Sequence, residues 1–120
     1  LIIDAYNANP TSMELAIRNF LNIKEDNKFL ILGDMFELGG SSKEEHHKII
    51  QLADKLKFEN AIFIGENFYN FRNEFPVYQF FENTTSLSNY LKINTIKNAT
   101  LLLKASRGIK LEQVVDYLYP

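Results

Sequence analysis

Apolar residues along this chain fall into short unbroken runs, separated by stretches in which they recur every three or four positions. Short unbroken runs read as buried strands, and the longer period reads as amphipathic helix. Residues 1–3 predict a first strand ending at Asp4, and residues 29–32 a second, halted by Gly33 and Asp34. Residues 61–64 predict a third strand closed by Gly65, residues 77–80 a fourth after Pro76, and residues 101–103 a fifth stopped by Lys104. Between them, Met13, Ala16, Ile17, Phe20 and Leu21 mark a helix with Asn9 as its N-cap and Pro10 at its first position. A second helix carries Ile49, Ile50, Ala53 and Leu56, with Ser41 or Ser42 as its cap and Glu44 and Glu45 favourable in its first turn. Residues 84–91 read as helical with Leu87 and Leu91 inward, and a last helix carries Leu111, Val114, Val115 and Leu118. The Asn-rich stretch 94–98 reads as a surface loop.

Strands that are apolar throughout are covered on both faces, as in parallel sheets. Their alternation with helices predicts an α/β fold with a doubly wound, mostly parallel open sheet of Rossmann-like type. The 120 residues fit one domain, and 46% apolar with 13% aromatic residues supply its core. A net charge of -2 points away from nucleic acid and anionic membranes as partners. The chain has no cysteine, which excludes disulfides and thiolate chemistry and fits a reducing, cytoplasmic compartment. No apolar run is long enough to span a bilayer. The chain opens on Leu1-Ile2-Ile3 with no initiator methionine, and is read as an excised domain.

In an open parallel sheet, ligands bind beyond the carboxyl ends of the strands. Three segments fall there: Asp4-Ala5-Tyr6-Asn7-Ala8-Asn9-Pro10-Thr11-Ser12, Gly33-Asp34-Met35-Phe36-Glu37-Leu38-Gly39, and Lys104-Ala105-Ser106-Arg107-Gly108. The carboxylate of Asp4 can accept two hydroxyl hydrogen bonds, which suits a ribose. The amides of Asn7 and Asn9 donate and accept, which suits a peptide-like ligand or a phosphate. A helix start at Pro10 favours anions, Lys104 and Arg107 attract carboxylate or phosphate, and Ser106 adds a small polar group.

Structural roles compete with these. Asp4 and Asp34 can simply end strands, Asn9 can simply cap a helix, and Gly33, Gly39 and Gly108 can simply turn the chain. Lys104 and Arg107 can be solvated surface charges. His46 shares helical spacing with Ile49, Ile50 and Ala53, the setting of a satisfied half-core histidine, while His47 faces a wetter side. Adjacent histidines do not share a helix face, so no metal site is expected. Neither a GxxxxGK[ST] phosphate loop nor a GxGxxG fingerprint is present.

These three segments resemble motifs of the Mur ligases, specifically the members that add D-alanyl-D-alanine to UDP-N-acetylmuramoyl-tripeptide. Residues 4–12 resemble that family's D-x-YNANP-x-S, and residues 32–39 its LGDM-x-ELG with a histidine, here His46, a few positions on. Residues 104–112 resemble its KGSRG-x-x-x-E ending. They occur in order across the whole chain. Ala105 departs from the pattern, standing where the family has glycine.

The resemblance implies a carboxy-terminal domain, residues 1–120, that closes over the site of a three-domain ligase. Upstream uridine-nucleotide-binding and central ATP-binding domains would lie outside this chain and supply the phosphate loop and the Mg2+ ligands. Asp4, Tyr6 and Asn7 would then face ATP. Asn7, Asn9, Pro10 and Ser12 would face the dipeptide substrate. Asp34, Glu37 and His46 would belong to the same substrate-binding set, as would Lys104, Ser106 and Arg107. The isolated domain would be inactive. Three other readings stay open. Asp4, Asp34 and Lys104 also imitate a phospho-accepting receiver domain, although Asp4 is followed by Ala5 rather than a second acid and the third strand ends on Gly65. Another amino-acid ligase of the same superfamily and a pure interaction domain are the remaining alternatives.

Overall fold

A computed structural model describes the backbone of residues 2–4 and the whole of residues 8–118. Five strands form one sheet: β1 (Ile2–Asp4), β2 (Lys28–Gly33), β3 (Asn60–Ile64), β4 (Gln79–Phe81) and β5 (Thr100–Lys104). Their spatial order is β1-β5-β2-β3-β4, and each pairing is parallel. The doubly wound α/β architecture expected from the apolar runs is therefore the one adopted.

Strand alternation divides the core into two layers. Leu30 and Leu32 of β2, Ala61 and Phe63 of β3, and Leu102 of β5 point into one. That layer is covered by α1 (Pro10–Leu21), α2 (Ser42–Lys55) and the short α3 (Glu66–Tyr69) through Met13, Ile17, Phe20, Ile49, Ile50, Ala53 and Phe68. Ile31, Ile62, Ile64, Leu101 and Leu103 point the other way, onto Leu87 and Leu91 of α4 (Thr84–Ile93). The chain end completes that side, with Leu111 and Val114 in a 3-10 turn and Leu118 in α5 (Val115–Leu118). Both faces of the central strands are buried, which explains why their sequences show no polar alternation.

Local chemistry sets the helix ends. The Asn9 side chain accepts from the Ser12 N–H at 2.9 Å while the Ser12 hydroxyl accepts from the Asn9 N–H at 3.1 Å, a reciprocal capping box with Pro10 at the first helical position. At the other end of α1, the Lys28 ammonium donates to the carbonyls of Phe20, Leu21 and Ile23 at 3.3, 2.8 and 3.0 Å. It satisfies groups the helix itself leaves open.

Four details differ from the sequence reading. Val77 is 68% exposed in the turn after Pro76. Tyr78 instead turns inward to donate to the Phe58 carbonyl at 3.0 Å, so β4 begins only at Gln79. Ser41 holds the N-cap position of α2 but makes no side-chain cap: a 3-10 turn (Gly39–Ser41) leads in, and Ser42 is already helical. The last helix is divided, 3-10 over Leu111–Val114 and α-helical over Val115–Leu118. Finally, α3 has four residues, too few to show a period, and is held from a distance by Asp34.

Candidate functional site

The connection leaving β2 enters the α2 layer, as does α1 after β1, whereas the chain leaving β5 enters the α5 layer. Because β5 lies between β1 and β2, neighbouring strands send their chains to opposite faces at its carboxyl end. Such a reversal opens a crevice at the strand tips. Three loops meet there. Ala8, Asn9, Phe36, Glu37, Leu38, Ser106, Arg107 and Gly108 line one cleft of about 600 Å³. A shallower depression shares Asn9 and Leu38 with it and continues past Pro10 and Ser12.

The segment after β2 is held from three sides. The Asp34 N–H donates to the Ile64 carbonyl of β3 at 2.9 Å. The Met35 N–H donates to Nε2 of His46 in α2 at 2.9 Å. The Phe36 N–H donates to the Ser106 hydroxyl beyond β5 at 2.8 Å. Ser106 adds two more ties, its N–H donating to the Asp34 carbonyl at 3.0 Å and its hydroxyl to the Ala8 carbonyl at 3.4 Å. One serine thus joins all three loops.

Beneath the rim, the Asp34 carboxylate is 2% exposed and accepts three hydrogen bonds. They come from the Asn67 N–H at 2.9 Å, the Asn67 amide at 3.0 Å and the Phe68 N–H at 3.1 Å. These donors open α3, whose free N–H groups a carboxylate satisfies. Gly65 makes room for it: a Cβ there would lie 2.2 Å from the Asp34 Cγ, and its φ of 123° already favours glycine.

The residues picked from the sequence therefore divide. Glu37 and Arg107 are exposed, and with Asn9 and Ser106 they line the cleft. Asn9 and Ser12 also cap α1. Asp34 and His46 are buried under the rim, His46 with no exposed surface, and neither lines the cleft. Lys104 is 2% exposed at the tip of β5, opposite Asp4 in the strand register, and is not a solvated surface charge. Tyr6, Asn7 and the Asp4 side chain lie outside the described residues.

Sequence reasoning overlooked Phe36, whose ring is 42% exposed in the cleft and rests on Gly108. It also overlooked Asn67, since nothing local links it to Asp34. His47 does face a wetter side than His46, as expected, but is half-buried there: it bonds Glu74 at 2.6 Å and stacks on Phe71.

Ala105 takes a negative φ, so the β-carbon that departs from the family pattern carries no backbone strain. Its methyl occupies the space above Gly33, where an added Cβ would come within 2.5 Å of it.

The strand order excludes the receiver reading. Receivers follow the order 2-1-3-4-5 with the first strand inside the sheet, whereas among the described residues β1 pairs with β5 alone. In addition, Asp34 is occupied as a helix cap. Among the described residues no group of three or more His, Asp or Glu is placed to hold a metal ion, and no helix is long and apolar enough to cross a membrane.

The family model described as Mur ligase, glutamate ligase domain, matches residues 1–107. A UDP-N-acetylmuramoyl-tripeptide--D-alanyl-D-alanine ligase of Buchnera aphidicola subsp. Acyrthosiphon pisum is 37% identical over 120 residues, covering 98% of this chain and 26% of that protein. The ligase of the same name from Bacillus subtilis is 34% identical over 126 residues, covering 98% and 27%. A crystal structure of MurF from Acinetobacter baumannii superposes with a TM-score of 0.75 at 30% identity, covering 96% of this chain and 26% of that one. The chain spans about a quarter of the length of these relatives.

Proposed function

The chain belongs to the Mur ligase family, and on that premise we propose that it is the carboxy-terminal, substrate-closing domain of an ATP-dependent ligase. The reaction is addition of D-alanyl-D-alanine to UDP-N-acetylmuramoyl-tripeptide in peptidoglycan synthesis, the activity in the names of the relatives. The single observation that carries this reading is the meeting of three motif-bearing loops around one polar cleft at the switch point of the sheet.

In such a ligation, ATP transfers its terminal phosphoryl group to the tripeptide carboxylate. The free amine of the dipeptide then attacks the acyl carbon, an amide forms, and phosphate leaves with the oxygen it gained. The Mg2+ that phosphoryl transfer uses would be held by the central domain, outside this chain. Its own residues orient the reactants. Arg107 offers a planar donor fork to the dipeptide carboxylate, and Asn9 and Glu37 offer polar contacts beside it. The family resemblance assigns Asp4, Tyr6 and Asn7 to the nucleotide. Holding amine and acyl phosphate together lowers the barrier by roughly 7 kcal/mol or more in favourable cases, and closure keeps water from the acyl phosphate. Both nucleotide substrates place the enzyme in the cytoplasm.

Phosphate release tests the proposal. The full-length enzyme should release phosphate only when ATP, the nucleotide tripeptide and the dipeptide are all present, and this 120-residue chain alone should release none. Arg107→Ala should raise KM for the dipeptide roughly tenfold. Ligation by the isolated chain, or unchanged kinetics in the variant, would overturn the assignment.

A further inference from the structure

We infer that His46 is a positioning residue for the dipeptide side of the cleft, acting through the Met35 amide rather than by touching a ligand. The inference rests on the ligase reading for its functional part. His46 has no exposed surface, yet both ring nitrogens are engaged. The Met35 N–H can only donate, so Nε2, 2.9 Å away, must be a bare acceptor. The ring hydrogen therefore sits on Nδ1, which donates to the Ser42 carbonyl at 2.7 Å. In that form no ion pair forms with Asp34, whose Oδ1 lies 3.8 Å from Nε2 and accepts from Phe68 instead.

The ring edge also packs against Phe68, with centroids 4.7 Å apart. The imidazole is thus fixed in plane and tautomer between α2 and the base of the rim. What it fixes is consequential: Met35 lies between Asp34, tied to β3, and Phe36, tied to Ser106. Without the His46 acceptor, the buried Met35 amide has no partner. The following residues, Phe36 and Glu37, form one wall of the cleft.

The chemistry requires an acceptor at the reach of Nε2, and this separates two conservative variants. In His46→Gln the side-chain oxygen stands the same number of bonds from the backbone as Nε2 and can accept from Met35. In His46→Asn the amide reaches only as far as Nδ1, so the contact with Ser42 survives and the one with Met35 is lost.

Both variants are made in the full-length enzyme, with hydrogen exchange followed over residues 34–38 and KM and kcat measured for D-alanyl-D-alanine. His46→Gln should stay within about twofold of the parent in every readout. His46→Asn should exchange roughly tenfold faster over 34–38 and raise the dipeptide KM roughly tenfold or more, with the ATP KM little changed. Equal behaviour of the two variants, or faster exchange with unaltered dipeptide KM, overturns the inference. Should His46→Asn not fold, Ser106→Ala releases the neighbouring Phe36 amide and carries the same expectation for exchange and KM; unchanged values there overturn it equally. If the parent enzyme fails to ligate the dipeptide, the ligase reading falls, while the exchange contrast still judges the tie to Met35.

Discussion

Gly33 and Ala105 should behave as one packing unit. A Cβ added at Gly33 would meet the Ala105 Cβ at 2.5 Å and the Ile109 Cγ2 at 3.0 Å. Two methyls attached directly to backbone in neighbouring strands cannot rotate away, so relief requires the strands themselves to shift. Gly33→Ala should therefore destabilise the chain by about 1–3 kcal/mol. Ala105→Gly removes one buried methyl, worth about 0.8 kcal/mol, and adds unfolded-state freedom worth about 0.5–1 kcal/mol. If the clash is mutual, the double variant moves the methyl from one strand to the other and should cost less than the sum of the single changes by at least about 1 kcal/mol. Urea unfolding of all four chains, followed by circular dichroism, measures this coupling. Effects that add to within about 0.5 kcal/mol would mean that the two sites do not share the space. The shared packing of Gly33 and Ala105 would then be refuted.

Three other changes test separate features. Gly65→Ala should cost about 3 kcal/mol or more, since it combines a φ of 123° with a Cβ placed against the Asp34 carboxylate, and thermal unfolding would read it; a shift of only a degree or two would contradict this account. Burial first, and the nearby Asp54 charge second, raise the pKa of the Tyr78 phenol above its ordinary 10.0, so the stability this supplies is complete below pH 10 and lost as pH rises through the higher folded value. Tyr78→Phe should cost about 1 kcal/mol at neutral pH through the lost bond to Phe58, and its deficit relative to the parent should shrink in urea titrations above pH 10; a constant deficit would refute the assignment. Glu37 holds a φ of 63°, so in Glu37→Gly relief of roughly 1 kcal/mol of backbone strain is nearly offset by added chain entropy. Stability should change by less than about 0.5 kcal/mol while ligation by the full-length enzyme falls, and retained ligation would remove Glu37 from the site.

The layering of the fold was legible because unbroken apolar runs such as 29–32 and 61–64 leave no polar face to expose. Asn9 and Pro10 marked the start of α1 because capping is local chemistry, complete within four residues. What escaped depends on distant partners. No pattern near Glu66 announces α3, whose N-terminus is satisfied by Asp34 across the sheet. Val77 looked like strand because it opens the apolar stretch 77–80 after Pro76, yet Tyr78 needed the turn to bring its hydroxyl to Phe58. The resemblance brought the three correct loops to notice, but it could not separate residues that face the cleft from those that support it. Asp34 looks as polar as Glu37 in one dimension and only burial distinguishes them, whereas the spacing of His46 with Ile49, Ile50 and Ala53 already marked it as inward.

That distinction changes how substitutions in the motif should be read. Asp34, His46 and Gly65 act on the cleft through folded geometry, so altering them moves stability and binding together. Glu37 stands in solvent, where a substitution has little folded structure to disturb. Glu37 makes the case most sharply. It occupies a backbone conformation in which its own β-carbon is unfavourable, within a segment whose preceding three amides are each claimed by a different element. Those anchors can hold a strained residue at the cleft, which a loosely tethered loop could not. The buried ties and the exposed carboxylate are two halves of one arrangement: the interior hydrogen bonds supply the rigidity that lets the rim present a side chain in a conformation it would not choose alone.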